Sequence, residues 1–124
     1  MPTALLLIAH GSREEQANAD LFHAVEELRR RGRYQIVEAA FLELAEPDID
    51  AGASQCVAAG ATRLILLPYF LSAGVHVNRD LEDARRRLSE RHPLVQFRLA
   101  EPMGRHPLLL EVLADRARNA EQDA

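Results

Sequence analysis

Two spacings of apolar residues alternate along the chain. Short continuous runs of Leu, Ile, Val and Ala are each followed by a longer charged segment whose apolar residues recur three or four positions apart. The runs predict strands over Ala4 to Ala9, Gln35 to Phe41, Leu64 to Pro68 and Val95 to Ala100, each bounded by Gly, Pro, His or charged residues. The segments between and after them predict helices near Arg13 to Arg31, Pro47 to Ala59, Val77 to Glu90 and Pro107 to Ala120. In the first of these, Leu21, Val25 and Leu28 share one face while Glu26, Glu27, Arg29 and Arg30 lie elsewhere, so that face is expected to cover a sheet. Gly32 and Gly60 stand where helix C-termini are expected, and Pro47 and Pro107 suit first helical turns.

Strands that read as unbroken apolar runs belong to sheets buried on both faces. Strands joined through helices pair in parallel by right-handed crossovers, which predicts an α/β fold: a small doubly wound sheet of four mainly parallel strands with helices on both faces. Ligands of such sheets bind at the carboxyl ends of the strands. Three loops are therefore expected to converge: His10 to Arg13, Leu42 to Glu46, and Tyr69 to Asp80. Residues 1–120 are expected to form one domain, with 121–124 a frayed tail.

Composition narrows the class. With 124 residues, 48% of them hydrophobic, the chain can bury a core without disulfides or structural zinc. The single cysteine, Cys56, has no partner for an internal disulfide and no neighbouring Cys/His cluster, which suits a buried small residue in a reducing cytoplasm. The apolar run after Met1 is too short for a membrane span, has no basic leader and runs into charged residues, so neither export nor a membrane is expected. A net charge of −4 with both signs mixed along the helices gives no general attraction to nucleic acid or anionic lipid. Any pull on an anionic substrate must be local.

The candidate chemistry sits on the predicted loops. His10, in AHGSR, ends the first strand, and His76, in PYFLSAGVHVNRD, follows the third. One histidine at a strand end is usually a hydrogen-bonded structural residue, but two on separate loops of one sheet edge can share a cleft, and neutral imidazole is a common ligand for divalent first-row metals. Glu43 offers a third ligand or proton acceptor, whereas Glu46, next to Pro47, is read as complementing a helix dipole. The spacing is not diagnostic of zinc, and there is no HExxH. Arg13, Arg79 and Arg105 flank these loops with planar donor forks that suit carboxylates, although solvated charges at helix starts explain them equally well. His23 and His92 read as surface residues and His106 as a helix cap; Arg29 to Arg31 and Arg85 to Arg87 read as solvated helix faces.

The stretches LLLIAHGSR, AFLELAEPDI, LPYFLSAGVHVNRDL and AEPMGRHPLLLEVLADR, in this order, resemble the CbiX/SirB group of class II tetrapyrrole chelatases over nearly the whole chain. The pairing of HGS with FLxxGxH is the specific part of the resemblance. It implies a flavodoxin-like, chelatase-like domain that inserts Co²⁺ or Fe²⁺ into sirohydrochlorin on the path to cobalamin or sirohaem, with no tightly bound cofactor and the divalent metal as substrate. It implies His10 and His76 as metal ligands, with His10, His76 and Glu43 as the catalytic set. Ser12, Arg13, Glu43 and the stretch Leu71, Ser72, Ala73, Gly74, Val75 are expected to contact the macrocycle, Gly74 by close backbone approach and the arginines through acetate and propionate groups. In HVNRDLEDA the chain departs from members with a proline soon after HxxxD, which puts the entry to the third helix in question. The chain resembles the short form, about half the length of two-repeat members, and this implies a homodimer.

Three other readings compete. IAHGSREEQAN has the look of a histidine phosphatase RHG motif, but the arginine required before the histidine is here Ala9. A receiver-like domain needs a phosphorylatable Asp after the third strand, where Leu66-Leu67-Pro68 stands. A metal-binding or delivery protein would use the same two histidines without turnover.

Overall fold

In the computed structural model, which describes residues 2–123, strands β1 (Thr3–Ala9), β2 (Ile36–Phe41), β3 (Arg63–Pro68) and β4 (Gln96–Leu99) alternate with helices α1 (Glu15–Arg30), α2 (Ile49–Ala58), α3 (Val75–Arg91) and α4 (Pro107–Gln122). The strands form one sheet in the order β2-β1-β3-β4, and every pairing is parallel. The apolar run is the reason β1 lies inside. Ala4 to Ile8 are all buried, and Leu6 pairs with Glu38 on one side and Leu66 on the other.

Alternation of side chains along the strands divides the core into two layers. Leu6, Ile8, Leu64, Leu66 and Phe97 point to the face covered by α2 and α3, meeting Ala53, Cys56, Leu81, Ala84 and Leu88. Leu5, Leu7, Val37, Ala39 and Phe41 point to the other face, where α1 supplies Leu21 and Val25, with Leu28 half-buried beside them. Gly52 of α2 lies against Leu6, where an added Cβ would approach the Leu6 side chain to 2.8 Å. Cys56 is fully buried, and burial, assisted by Glu38, pushes its thiol pKa up to about 12. Gly32 and Gly60 follow α1 and α2 with positive φ, the left-handed geometry that ends helices.

The structure corrects several boundaries. Pro47 is not in the first turn of α2: its carbonyl accepts from Phe41 N–H at 2.9 Å, and Asp48 caps the helix by accepting from Ala51 N–H at 2.8 Å. Helix α3 starts at Val75, because Gly74 takes the extended geometry of a cap residue. His76 therefore belongs to its first turn rather than to a loop. Helix α4 continues through 121 and 122, which were expected to fray, since neither Gly nor Pro interrupts the segment; Ala124 lies outside the described residues.

One further expectation changes. His92 is half-buried, not a surface residue: it ends α3, its ring lies 6.0 Å from that of Phe97, and its Nε2 is buried with no partner among the described residues. Helix α4 buries none of its residues. Among the described residues, no helix is long and apolar enough to cross a membrane.

Leu66→Ala, at the centre of the sheet, is expected to cost about 2–5 kcal/mol, read as a lower urea midpoint with an unchanged slope. With its thiol pKa near 12, Cys56 is expected to resist thiol reagents at pH 8 until the chain unfolds.

Candidate functional site at the carboxyl edge of the sheet

The parallel strands all end on one side, and the loops that leave them are stitched together there. Ile8 C=O accepts from Tyr69 N–H at 2.7 Å, Ala9 C=O from Leu42 N–H at 3.0 Å, and His10 C=O from Glu43 N–H at 3.1 Å. The backbone carrying His10 is thereby tied to the loops after β2 and β3. Gly11 is required at this crossing. Its φ is +94°, and a Cβ there would stand 1.8 Å from the Glu43 carbonyl oxygen. The next residues are fixed by Asn18, whose side chain accepts from Ser12 N–H at 3.0 Å and donates to Ser12 C=O at 2.7 Å.

The His10 imidazole is exposed to solvent and packs against Phe70, with ring centroids 4.7 Å apart and planes inclined by 33°. It lines a cavity of about 470 Å³ with Leu42, Glu43, Ile49, Val77, Asp80, Asp83, Ala84 and Arg87. Glu43, Asp80 and Asp83 share this lining with Arg87, and Arg87 Nε is itself 3.3 Å from Asp50 Oδ1. Carboxylates outnumber guanidinium groups, which favours a cation in the cavity.

His10 and Glu43 are brought together in this cavity; His76 is exposed on the first turn of α3 and is not among its lining residues. Among the described residues, no three His, Cys, Asp or Glu side chains form a group able to hold a metal ion. Ser12 is half-buried, and its Oγ accepts from Glu14 N–H at 3.0 Å, shaping the entry to α1. Arg13, Arg79 and Arg105 are exposed with no carboxylate partner among the described residues. Leu71, Ser72, Gly74 and Val75 are exposed and Ala73 is half-buried, forming a small apolar lip before α3. Nothing lies within 4 Å of a Cβ built on Gly74, so this backbone is open to a ligand from outside. Glu46 is exposed outside the cavity lining, and its peptide bond to Pro47 is cis.

Sequence reasoning missed Asn18, Phe70, Leu44, Asp80 and Asp83. Asn18 was hidden in a helix pattern, and Phe70 stood within the FLxxGxH motif with no role assigned to its ring. Leu44 is exposed beside the cleft at a positive φ of 64°, which no side-chain pattern signals. Asp80 and Asp83 fall on the face of α3 nearest the cavity, a spacing of three that was available in HVNRDLED.

The fold and edge define a doubly wound α/β domain that presents a histidine and carboxylates at a cation-favouring cleft. The family model CbiX matches residues 4–120, and the chain belongs to the CbiX family. It is 36% identical over 115 residues to a sirohydrochlorin cobaltochelatase of Priestia megaterium, covering 93% of this chain and 37% of that protein. A sirohydrochlorin cobaltochelatase of Sulfolobus acidocaldarius is 31% identical, with 94% of this chain and 90% of that protein covered. Among solved structures, the sirohydrochlorin chelatase SirB of Bacillus subtilis subspecies spizizenii in complex with cobalt superposes with a TM-score of 0.87 at 28% identity, covering 96% of this chain and 51% of that one. A CbiX protein from Marinobacter aquaeolei superposes with a TM-score of 0.86 at 28% identity over 99% and 100% of the two chains. The chain spans half or less of the length of several curated relatives that it matches.

Gly11→Ala is expected to lose at least ~1–3 kcal/mol of stability from backbone strain alone, because alanine must adopt the positive φ. Thermal unfolding measures the loss. Asn18→Ala, which frees the Ser12 peptide, is expected to leave the melting temperature nearly unchanged and to shift the His10 imidazole resonances in NMR spectra.

Proposed function

We propose that the protein inserts a divalent metal, Co²⁺ or Fe²⁺, into sirohydrochlorin, supplying cobalamin or sirohaem synthesis. The observation that carries the reading is the His10 imidazole at the carboxyl edge, tied to the Glu43 loop and sharing a cavity with its carboxylate. Family membership and the named activities of the relatives support the substrate class.

Metal insertion replaces two pyrrole N–H protons with one M²⁺, so two protons leave as the metal enters. Neutral His10 holds the incoming cation or accepts a pyrrole proton; one nitrogen cannot do both at once, so the two tasks fall at different steps. General base action by a positioned side chain is typically worth ~10²–10⁴-fold. Glu43, Asp80 and Asp83 draw the cation into the cavity and take protons on to solvent. His76, at the start of α3, is the second imidazole, reaching the metal when the macrocycle brings it over the edge. Leu71 and Val75 lie against the ring plane, with Leu44 beside the cleft. The guanidinium groups of Arg13 and Arg79 meet the peripheral carboxylates, which reconciles an acidic chain with an anionic substrate. The metal is substrate, and no tightly bound cofactor enters. The reading includes a homodimer, supported by the uncovered α4, and a cytoplasmic location, supported by the free buried thiol of Cys56.

The test follows sirohydrochlorin absorbance anaerobically with Co²⁺ and with Fe²⁺. Wild type is expected to accelerate insertion over the uncatalysed rate, with ~10²–10⁴-fold of that lost in His10→Ala and a comparable loss in His76→Ala. Folded protein that binds metal without acceleration contradicts the reading and identifies a metal-delivery protein.

A further inference from the structure

A histidine that holds a metal or moves a proton needs a fixed ring, and the usual device is a carboxylate or carbonyl that takes up the other ring N–H. His10 has no such partner. Among the described residues, no side chain and no peptide group hydrogen-bonds its imidazole, and the residue is exposed. What it has is the ring of Phe70, with centroids 4.7 Å apart and planes inclined by 33°, a separation at which offset aromatic pairs attract.

Phe70 is held as a wall. It is half-buried and packs onto the core layer covered by α2 and α3, as do Leu42 and Val77, which line the His10 cavity. Its backbone is gripped from two sides. Tyr69 N–H donates to Ile8 C=O of β1 at 2.7 Å. On the other side, the segment after β4 bonds along β3 and its loop: Ala100 N–H donates to Leu66 C=O at 2.9 Å, Met103 N–H to Phe70 C=O at 3.2 Å and Gly104 N–H to Leu71 C=O at 2.6 Å. Gly104 is needed for this approach, since a Cβ there would collide with the Leu71 carbonyl oxygen. The bonds extend the grip on the β3 segment past the ends of the strands, so the aromatic face beside His10 has little freedom to swing away.

We infer that Phe70 is the positioning residue of the His10 imidazole, standing where a hydrogen-bond acceptor usually stands beside a metal-binding histidine. The difference has a chemical consequence. An acceptor on one ring nitrogen commits that nitrogen to its N–H form and leaves only the other for chemistry. A contact on the ring face fixes the plane in which both nitrogens present their lone pair or N–H, and commits neither. His10 is asked to hold the cation at one step and to take a pyrrole proton at another. A ring oriented without a hydrogen bond keeps both nitrogens available for the two tasks.

The inference rests on the proposed metal insertion, and the experiment keeps the two apart. Phe70→Leu and Phe70→Met remove the aromatic face and keep apolar bulk, whereas Phe70→Tyr keeps the face. Three-bond NMR couplings across χ1 of His10 are expected to report one rotamer in wild type and Phe70→Tyr, and averaging in the two aliphatic variants, whose folding is checked by circular dichroism. The aliphatic variants are expected to need about 10–100-fold more Co²⁺ to broaden the His10 ring signals. Their kcat for Co²⁺ insertion into sirohydrochlorin is expected to fall about 10–100-fold with KM unchanged, and Phe70→Tyr to restore it. An averaged His10 in wild type, or a single rotamer that persists in the aliphatic variants, overturns the inference. A raised KM with kcat kept also overturns it, because Phe70 then binds the macrocycle itself. Wild type that fails to accelerate insertion overturns the metal-insertion reading alone, and the couplings and Co²⁺ broadening still decide whether Phe70 positions the ring.

Discussion

The position of β1 between two parallel neighbours is the constraint from which the rest follows. A strand of unbroken apolar residues must be buried on both faces, and parallel pairing on both edges leaves its carboxyl end as the place where the backbone meets water. His10 is the first exposed residue after that run. Its orientation comes from neighbours it does not choose: the loops after β2 and β3 bond to Ile8, Ala9 and His10 themselves, so the pairing that makes the sheet also assembles the edge. Gly11 permits the crossing with Glu43, and Phe70 gives the imidazole a surface to rest on.

Chemistry and stability are separated along the strand axis. Everything titratable at the edge is solvated or partly so, while the core contains no buried charged residue among those described. The edge therefore keeps imidazole and carboxylates accessible to cations and protons without imposing their desolvation on the fold. In the single chain the groove between α1 and β3, the apolar residues of α4 and the lip at Leu71 to Val75 are all left uncovered.

Much of the fold was legible because periodicity is a strong signal. Four apolar runs and four charged segments translate directly into four parallel strands and four helices, and the C-terminal glycines and Pro107 mark ends that the structure keeps. The errors fall where local chemistry competes with pattern. Pro47 looked like a first-turn proline, but the Asp48 carboxylate made the better cap. Gly74 looked like a ligand-contact glycine and also starts α3, which moves His76 onto a helix. At the site, His10 and Glu43 were legible as loop residues at one edge. Asn18, Phe70 and Leu44 were not, because hydrogen-bond partners, ring contacts and positive φ arise from tertiary placement. The uncovered state of α4 was invisible for a related reason: an amphipathic helix reads the same whether or not its own sheet covers it.

The most direct measurement is an NMR titration of the imidazole resonances with Co²⁺, whose unpaired electrons broaden nearby nuclei. The account predicts that His10 broadens first and His76 with it, while His92, at the far end of α3 and packed against Phe97, stays sharp. A His10 signal that survives concentrations at which His23 or His92 disappears would contradict the claim that the carboxyl edge of the sheet is where this protein handles metal.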